Sequence, residues 1–364
     1  MKTSFISSLS MQTTMRYAVA RAQQDMVAAQ QEVTTGRHSD VGVALGATTA
    51  RSLDLTRDIL RIKSTLSTNS LATQRLEASE EALAEMASIA DKITQGLITL
   101  GGSEDSKGIE TYQATIRGSL NAFASLANTS VAGEYLFAGI NSDVMPFEEI
   151  ADPASGARAA IERELNLFLA AQVPPATKAT LTDAQMGAFM TQLEGIFDGT
   201  QALTPVPPAI AGEDFWTTFV SNASDTNMKS RISQSEIVET STNANANPMR
   251  DFVLASFASE MFINSETSTA GRDLAQGKIM NFVSTAKGGL DAERARLGLS
   301  SERVKKADVS LQDQNKIIET HLNDLQSVDA YEASTRVKGL EALIEASYTL
   351  TARLQQLSLV NFLK

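Results

Sequence analysis

The residues best able to do chemistry are few. Gly271 to Lys278, GRDLAQGK, has the glycines and lysine of a phosphate-binding loop, in which backbone N–H groups cradle a phosphate and the lysine neutralises it. Five residues rather than four separate its glycines, and Ile279 stands where a serine or threonine would hold magnesium, so nucleotide binding is not expected. The only histidines are His38 and His321, too few for a histidine-rich metal site or for a catalytic pairing with serine, and both read as solvated or weakly paired surface residues. Glu80-Glu81 and Glu148-Glu149 are adjacent carboxylates, but neighbours on a helix point about 100 degrees apart and do not form an acid/base dyad. No HExxH or GxSxG is present. Asn128-Thr129-Ser130 and Asn222-Ala223-Ser224 are glycosylation acceptors only in a eukaryotic secretory route.

Composition excludes more. The 364 residues hold no cysteine, so thiolate zinc, iron-sulfur and thiol chemistry are impossible. Lys and Arg number 31 against 43 Asp and Glu, and a balance of -12 argues against nucleic acid as a partner. No stretch approaches the roughly 18 apolar residues of a membrane span, and the first fifteen residues are too rich in Ser and Thr for a signal-peptide core. No membrane partner, catalytic residue, cofactor or metal is expected, and the chain is not expected to be an enzyme.

What remains is architecture. Apolar residues make up 43% of the chain but aromatics only 5%, with Trp216 the one tryptophan, so the core vocabulary is that of packed helices. All eight prolines fall within 103 consecutive residues, from Pro146 to Pro248, leaving proline-free flanks of 145 and 116 residues. Proline costs a helix interior about 3 kcal/mol, so long helices in the flanks and an inserted central domain follow.

In the first flank Met15, Val19, Ala22, Met26, Ala29 and Val33 recur at spacings of 4-3-4-3-4, predicting a helix over about 4–35 that stops at Gly36. Met15 and Met26 read as adaptable packing residues on that stripe. A second helix is expected from about Thr48 to Leu100, ended by Gly101-Gly102, with a third over Ile109 to Ser130 folding back on it. The last flank reads as a segment from Pro248 to about Ala286, a break at Gly288-Gly289, and a helix almost to the end. Its final stripe is Leu340, Leu343, Ser347, Leu350, Leu354 and Leu357, followed by Leu359, Val360, Phe362 and Leu363. In the centre, helical patches near 157–171 and 181–197 and a strand-like stretch near 230–240 predict a mixed α/β insertion, with a turn at 243–247.

Residues 1–24 and 346–364 contain no acid and together carry +5, leaving -17 on the interior. Apolar, mildly basic ends with heptad spacing are expected to meet each other or neighbouring copies. The fold class is therefore mainly α: an antiparallel bundle or coiled coil built from both ends, with a mixed insertion. The expected division is terminal coiled-coil helices at 1–40 and 325–364, a helical rod at 41–145 and 249–324, and an outward-facing insertion at 146–248.

Several stretches resemble one family. Leu126-Ala127-Asn128-Thr129, then Gly133-Glu134-Tyr135-Leu136-Phe137-Ala138-Gly139, then Pro146-Phe147 is similar to the run that closes the N-terminal half of bacterial flagellar hook-associated protein 3, the flagellin-related junction protein between hook and filament. Thr34-Thr35-Gly36-Arg37, Ala330-Tyr331-Glu332-Ala333-Ser334 and Leu357-Ser358-Leu359-Val360-Asn361-Phe362-Leu363 resemble further stretches of that family. His38-Ser39-Asp40-Val41-Gly42 departs from its acidic, proline-flanked loop.

The resemblance implies a structural protein exported through the flagellar type III apparatus without a cleaved signal and located outside the cell in the flagellum. It implies hook-associated protein 1, flagellin, neighbouring copies in a ring and an export chaperone as partners. The interface expected from the stripes is Phe5, Leu9, Met15, Val19, Met26 and Val33 with Leu350, Leu354, Leu357, Leu359, Val360, Phe362 and Leu363. A flagellin-type filament subunit is the nearest alternative, and a secreted coiled-coil translocator or adhesin a more distant one.

Overall fold

The computed structural model describes residues 8–101, 105–205 and 214–362, with side chains at 10, 13–101, 105–205 and 214–353. In chain order the elements are α1 (Ser8–Thr35), α2 (Val41–Leu45) with a 3-10 turn at Gly46–Thr48, α3 (Thr49–Leu100), α4 (Ser106–Ala127), β1 (Ser130–Val131), β2 (Glu134–Tyr135), α5 (Gly156–Ala170), α6 (Asp183–Asp198), α7 (Phe215–Phe219), β3 (Lys229–Arg231), β4 (Ile237–Glu239), α8 (Asn247–Phe262), α9 (Thr269–Gln326) and α10 (Ala330–Phe362). The protein is mainly α, with long helices from both ends of the chain packed together and short strands confined to the centre. Two compact units result: a terminal unit, Met1–Ser64 with Ser310–Lys364, and a central unit, Thr65–Val309.

In the terminal unit α1 pairs with α10 and the start of α3 pairs with the end of α9. Both pairs are antiparallel, since Met15, Gln23 and Glu32 meet Thr351, Tyr348 and Arg336 in that order, while Ser52 and Lys63 meet Gln326 and Glu319. Two helix stops meet where α1 and α9 end. Arg37 bridges to Ser327, the His38 N–H donates to the Gln326 carbonyl, and the Val328 N–H donates to the Gly36 carbonyl. Gly36 has the φ of +67° that its position past a helix end requires. Asp329 then starts α10 by accepting from the N–H groups of Tyr331 and Glu332.

The central unit is organised around α8, whose sixteen residues are buried on nearly every face. Phe252 of α8 stacks on Phe123 of α4 with ring centroids 3.8 Å apart, and Phe262 meets Phe189 of α6 edge-on. Phe147, Phe197, Phe215 and Trp216 extend the same cluster, so the scarce aromatics sit together where each burial is worth about 1.5–3 kcal/mol. The 146–248 segment builds its core jointly with α4 and α8. Tyr112 donates to Ser259 Oγ within this core, and burial pushes its hydroxyl pKa well up.

The run 126–147 makes the turn out of α4. Ala132 and Gly133, with φ of 53° and 86°, form the two-residue turn joining β1 to β2, paired antiparallel at Val131 and Glu134. Asn128 holds the return strand as a backbone would: its Nδ2 donates to the Phe147 carbonyl and its Oδ1 accepts from the Phe147 N–H. Gly139, at φ +63°, lies so close to the Ser224 and Thr226 carbonyls that a Cβ would fall 2.4 Å from the former.

Four expectations change. α9 passes through Gly288-Gly289 without a break, because Gly289 is a contact: a Cβ there would come 2.7 Å from Pro248. A helix tolerates glycine at about 1 kcal/mol when packing uses it. The chain breaks instead at 263–268, where Asn264 Oδ1 accepts from the N–H groups of Glu266 and Thr267, and again at 327–329. The third helix ends at Ala127, since Ser130 is in β1; it lies against α3, where Gly96 faces the Tyr112 ring, and also stacks Phe123 on Phe252 of α8. Finally, 243–247 is a packed junction more than a turn: Asn245 accepts from Trp216 Nε1 and donates to Asp225, and Asn243 donates to Asn227.

Where α6 packs on α8, the Asp251 carboxyl is pushed up to about 6, first by burial and then by the charges of Glu194 and Asp198. The folded state thus binds this proton more tightly than the unfolded chain, so the group costs stability above pH 6, and the cost fades as pH falls towards 4. Asp251→Asn is expected to raise the melting temperature by about 2–4 °C at pH 7.5 and to leave it unchanged at pH 4. A thermal melt series across that range checks this, and a shift of equal size at both ends would contradict it.

Candidate assembly face

The inward face of α1 is Met15, Val19, Ala22, Met26 and Ala29, as its spacing requires, but Glu32 in place of Val33 takes the last inward position. Opposite it α10 presents Ala333, Val337, Leu340, Ile344, Ser347 and Thr351, again at 4-3-4-3-4. The fully buried members are alanines: Ala22, Ala29 and Ala333 are 3%, 2% and 0% exposed. Alanine lets two backbones approach closely but removes little apolar surface from water, so the seam alone holds the pair weakly.

Five of the thirteen expected interface residues can be placed. Met15, Val19 and Met26 are half-buried in the seam. Val33 and Leu350 lie outside it and are exposed. Leu343, read in the same stripe as Leu350, is also exposed, because Ile344 occupies the inward position that either could fill at helical spacing. Phe5 and Leu363, and the side chains of Leu9, Leu354, Leu357, Leu359, Val360 and Phe362, lie outside the described residues. Tyr17, Val27 and Tyr348 join Val33, Leu343 and Leu350 as large apolar groups left in water on the two helices. α1 carries only four charges in 28 residues, so little on its outer surface opposes burial.

One ionic clasp fixes the pair, and the sequence reading missed it. Glu32, buried at 7%, accepts from the N–H and hydroxyl of Ser39 with Oε1 and from Arg336 with Oε2, and His38 Nδ1 lies 3.7 Å away. Arg37 donates to Asn323 beside it. The clue present in the sequence was Asp329-Ala330-Tyr331-Glu332, a helix-start pattern that would have placed α10 and set Arg336 one turn in from Glu332, which it also pairs.

Charge separates the two units. The terminal unit holds 13 basic and 12 acidic residues, a balance of +1, whereas the central unit holds 18 and 31, a balance of -13. Copies of the terminal unit can crowd together without like-charge repulsion, while central units repel one another unless solvent separates them. The phosphate-loop-like stretch, Gly271 to Lys278, lies in the first turns of α9, where the Gly271 N–H donates to Ser268 Oγ and the Arg272 N–H to the Ser268 carbonyl. Among the described residues no three His, Asp or Glu side chains gather as a metal site, and no helix is long and apolar enough to cross a membrane.

Residues 6–142 match the bacterial flagellin N-terminal helical region and residues 280–363 the bacterial flagellin C-terminal helical region, together well over half of the chain. No curated protein matches it. Among solved structures, a Vibrio parahaemolyticus chain assigned as a flagellar hook-associated protein superposes with a TM-score of 0.51 at 9% identity, over 77% of this chain and 97% of that one. At that identity the likeness is one of fold.

Removing the charge at the clasp leaves Arg336 without its buried partner, at a cost of about 1–2 kcal/mol. Glu32→Gln should therefore speed tryptic cleavage after Arg16 and Arg21 about tenfold while thermal unfolding of the central unit stays unchanged. Cleavage at the wild-type rate would show that the clasp does not hold α1 to α10.

Proposed function

The chain belongs to the flagellin family and is a structural protein of the bacterial flagellum, and from that premise we propose that it forms the junction between hook and filament. The observation that carries this reading is the run from Leu126 to Phe147, which resembles the junction protein and which the fold uses as one device: a tight hairpin, Gly139 pressed on two carbonyls, and Asn128 clamping Phe147. The hook-associated neighbour in fold supports the same direction.

In this reading the terminal helices are the working part. Each copy brings an alanine seam with apolar side chains left over, and neighbours cover them, at about 25 cal/mol per Å² of apolar surface. A junction meets different proteins on its two sides: hook-associated protein 1 towards the hook and flagellin towards the filament, with copies of itself completing a ring. The chain travels to that position with an export chaperone, through the flagellar export apparatus, without a cleaved signal. The 146–248 segment faces outward, and its part of the acidic central unit keeps it in solvent. The flagellin family match itself favours a second reading, a filament subunit that polymerises alone.

Deleting the gene separates the two readings. The junction reading predicts hooks without filaments in electron micrographs and flagellin shed into the medium. Complementing with a Leu354→Asp, Leu357→Asp chain is expected to leave that phenotype unchanged, with the purified variant's central unit still folded. Normal filaments in the deletion strain would contradict the junction role.

A further inference from the structure

Within the central unit one guanidinium has more donors than the protein gives it acceptors. Arg158 of α5 lies against α8 with its side chain 15% exposed, and its Nη1 pairs with the Glu260 carboxylate. Glu260, its side chain 6% exposed, also accepts from Arg117 Nε of α4 at 3.2 Å, so two guanidiniums share one carboxylate. Arg158 Nε and Nη2 are buried and meet no acceptor. Arg75, Arg163 and Arg296 leave only Nε unmet, whereas Arg158 leaves the whole Nε–Nη2 edge, whose parallel donors fit the two oxygens of one carboxylate. Buried donors of a charged group are costly to leave unpaired.

The same side chain lines a cavity of about 270 Å³ between α5 and α8, just under the range of about 300–1,000 Å³ usual for ligand sites. Its apolar walls are the buried Ile161 and Leu165 of α5 and Phe257 and Met261 of α8. The Arg158 guanidinium stands over the Phe257 ring, with Cζ 5.8 Å from the ring centroid, and an aromatic face is a weaker acceptor than a carboxylate. Lys178, the other cation on the wall, is engaged by Glu266 at 3.1 Å. Glu162 and Asn166 are exposed and mark the rim.

We propose that this cavity binds a small carboxylate with an apolar body. The two oxygens take the Nε–Nη2 edge of Arg158, which swings a short way off the Phe257 ring to meet them, and the carbon atoms pack against Leu165, Phe257 and Met261. Charge and lining together set the class. A neutral apolar molecule leaves the guanidinium edge unmet, and a dianion such as phosphate is opposed by Glu162 at the rim and gains nothing from the apolar walls. A singly charged acid answers the one surplus guanidinium and buries its apolar part. Bound there, it braces α5 on α8. This site is independent of the junction reading, since both helices belong to the central unit.

Isothermal titration of the full chain at pH 7 with hydrocinnamate, a phenyl ring on a short acid tail, tests this, with inorganic phosphate as the second probe. The expected result is one hydrocinnamate per chain, a higher melting temperature of the central unit in its presence, and no displacement by equimolar phosphate. Arg158→Gln should weaken binding at least about tenfold, and Glu162→Gln should tighten it about two- to threefold. Asn166→Trp, at an exposed rim position, should block binding while the free chain melts as the wild type does, and it decides the matter if Arg158→Gln does not fold. No binding at millimolar hydrocinnamate, wild-type affinity in Asn166→Trp or in a folded Arg158→Gln, or equal binding of phosphate would each overturn the proposal.

Discussion

Everything distinctive about this protein depends on how little apolar surface the seam between α1 and α10 buries. Its most deeply buried side chains are three alanines, and among the described residues the only other apolar groups the terminal unit buries are Ile59, Ile62, Leu311 and Leu322. Long helices are favourable locally but need a packed face to be held in one arrangement. Here that face is shared out: one stripe closes the intramolecular pair, and Tyr17, Val27, Leu343 and Leu350 remain for something else. A pair built this way is stable enough to be aligned by Glu32 and Arg336 and weak enough to gain from neighbours.

The central unit solves the opposite problem. Its aromatic cluster around α8 and its hydrogen-bonded junctions at Asn128 and Asn245 make it self-sufficient. Its charge of -13 keeps such units apart in solution, whereas the terminal unit near neutrality can be brought together. Division of labour between a rigid, solvated body and an incomplete, neutral pair of chain ends is what a subunit of an assembling structure needs, since premature association through the body would compete with ordered growth.

Much of this was legible in the sequence. Heptad spacing located the end of α1 and both ends of α3 to within a few residues, and confinement of proline to 146–248 pointed to the region of the shorter helices α5 to α7 and of strands β3 and β4. What escaped were choices made by tertiary contact. Gly289 read as a stop because glycine is a poor helix former, and nothing local shows that Pro248 lies against it. Leu343 and Ile344 fit the same stripe equally well by spacing, and only packing against α1 chooses between them. Asn128 stood in the sequence only as part of a family-like run and an unused sequon, while its amide is engaged with the backbone of Phe147, nineteen residues on. The start of α10 could have been found, because Asp329 and Glu332 are a helix-start pair, but a continuous run of helix-forming residues masked it.

The central claim is that the terminal helices reach full stability only beside neighbours. Amide hydrogen exchange on the free chain and on isolated flagella measures this directly. Residues 13–35 and 330–353 should exchange far faster than α8 in the free chain and become comparably protected in the assembled state. Protection of those helices equal to that of α8 already in the free chain would contradict the account.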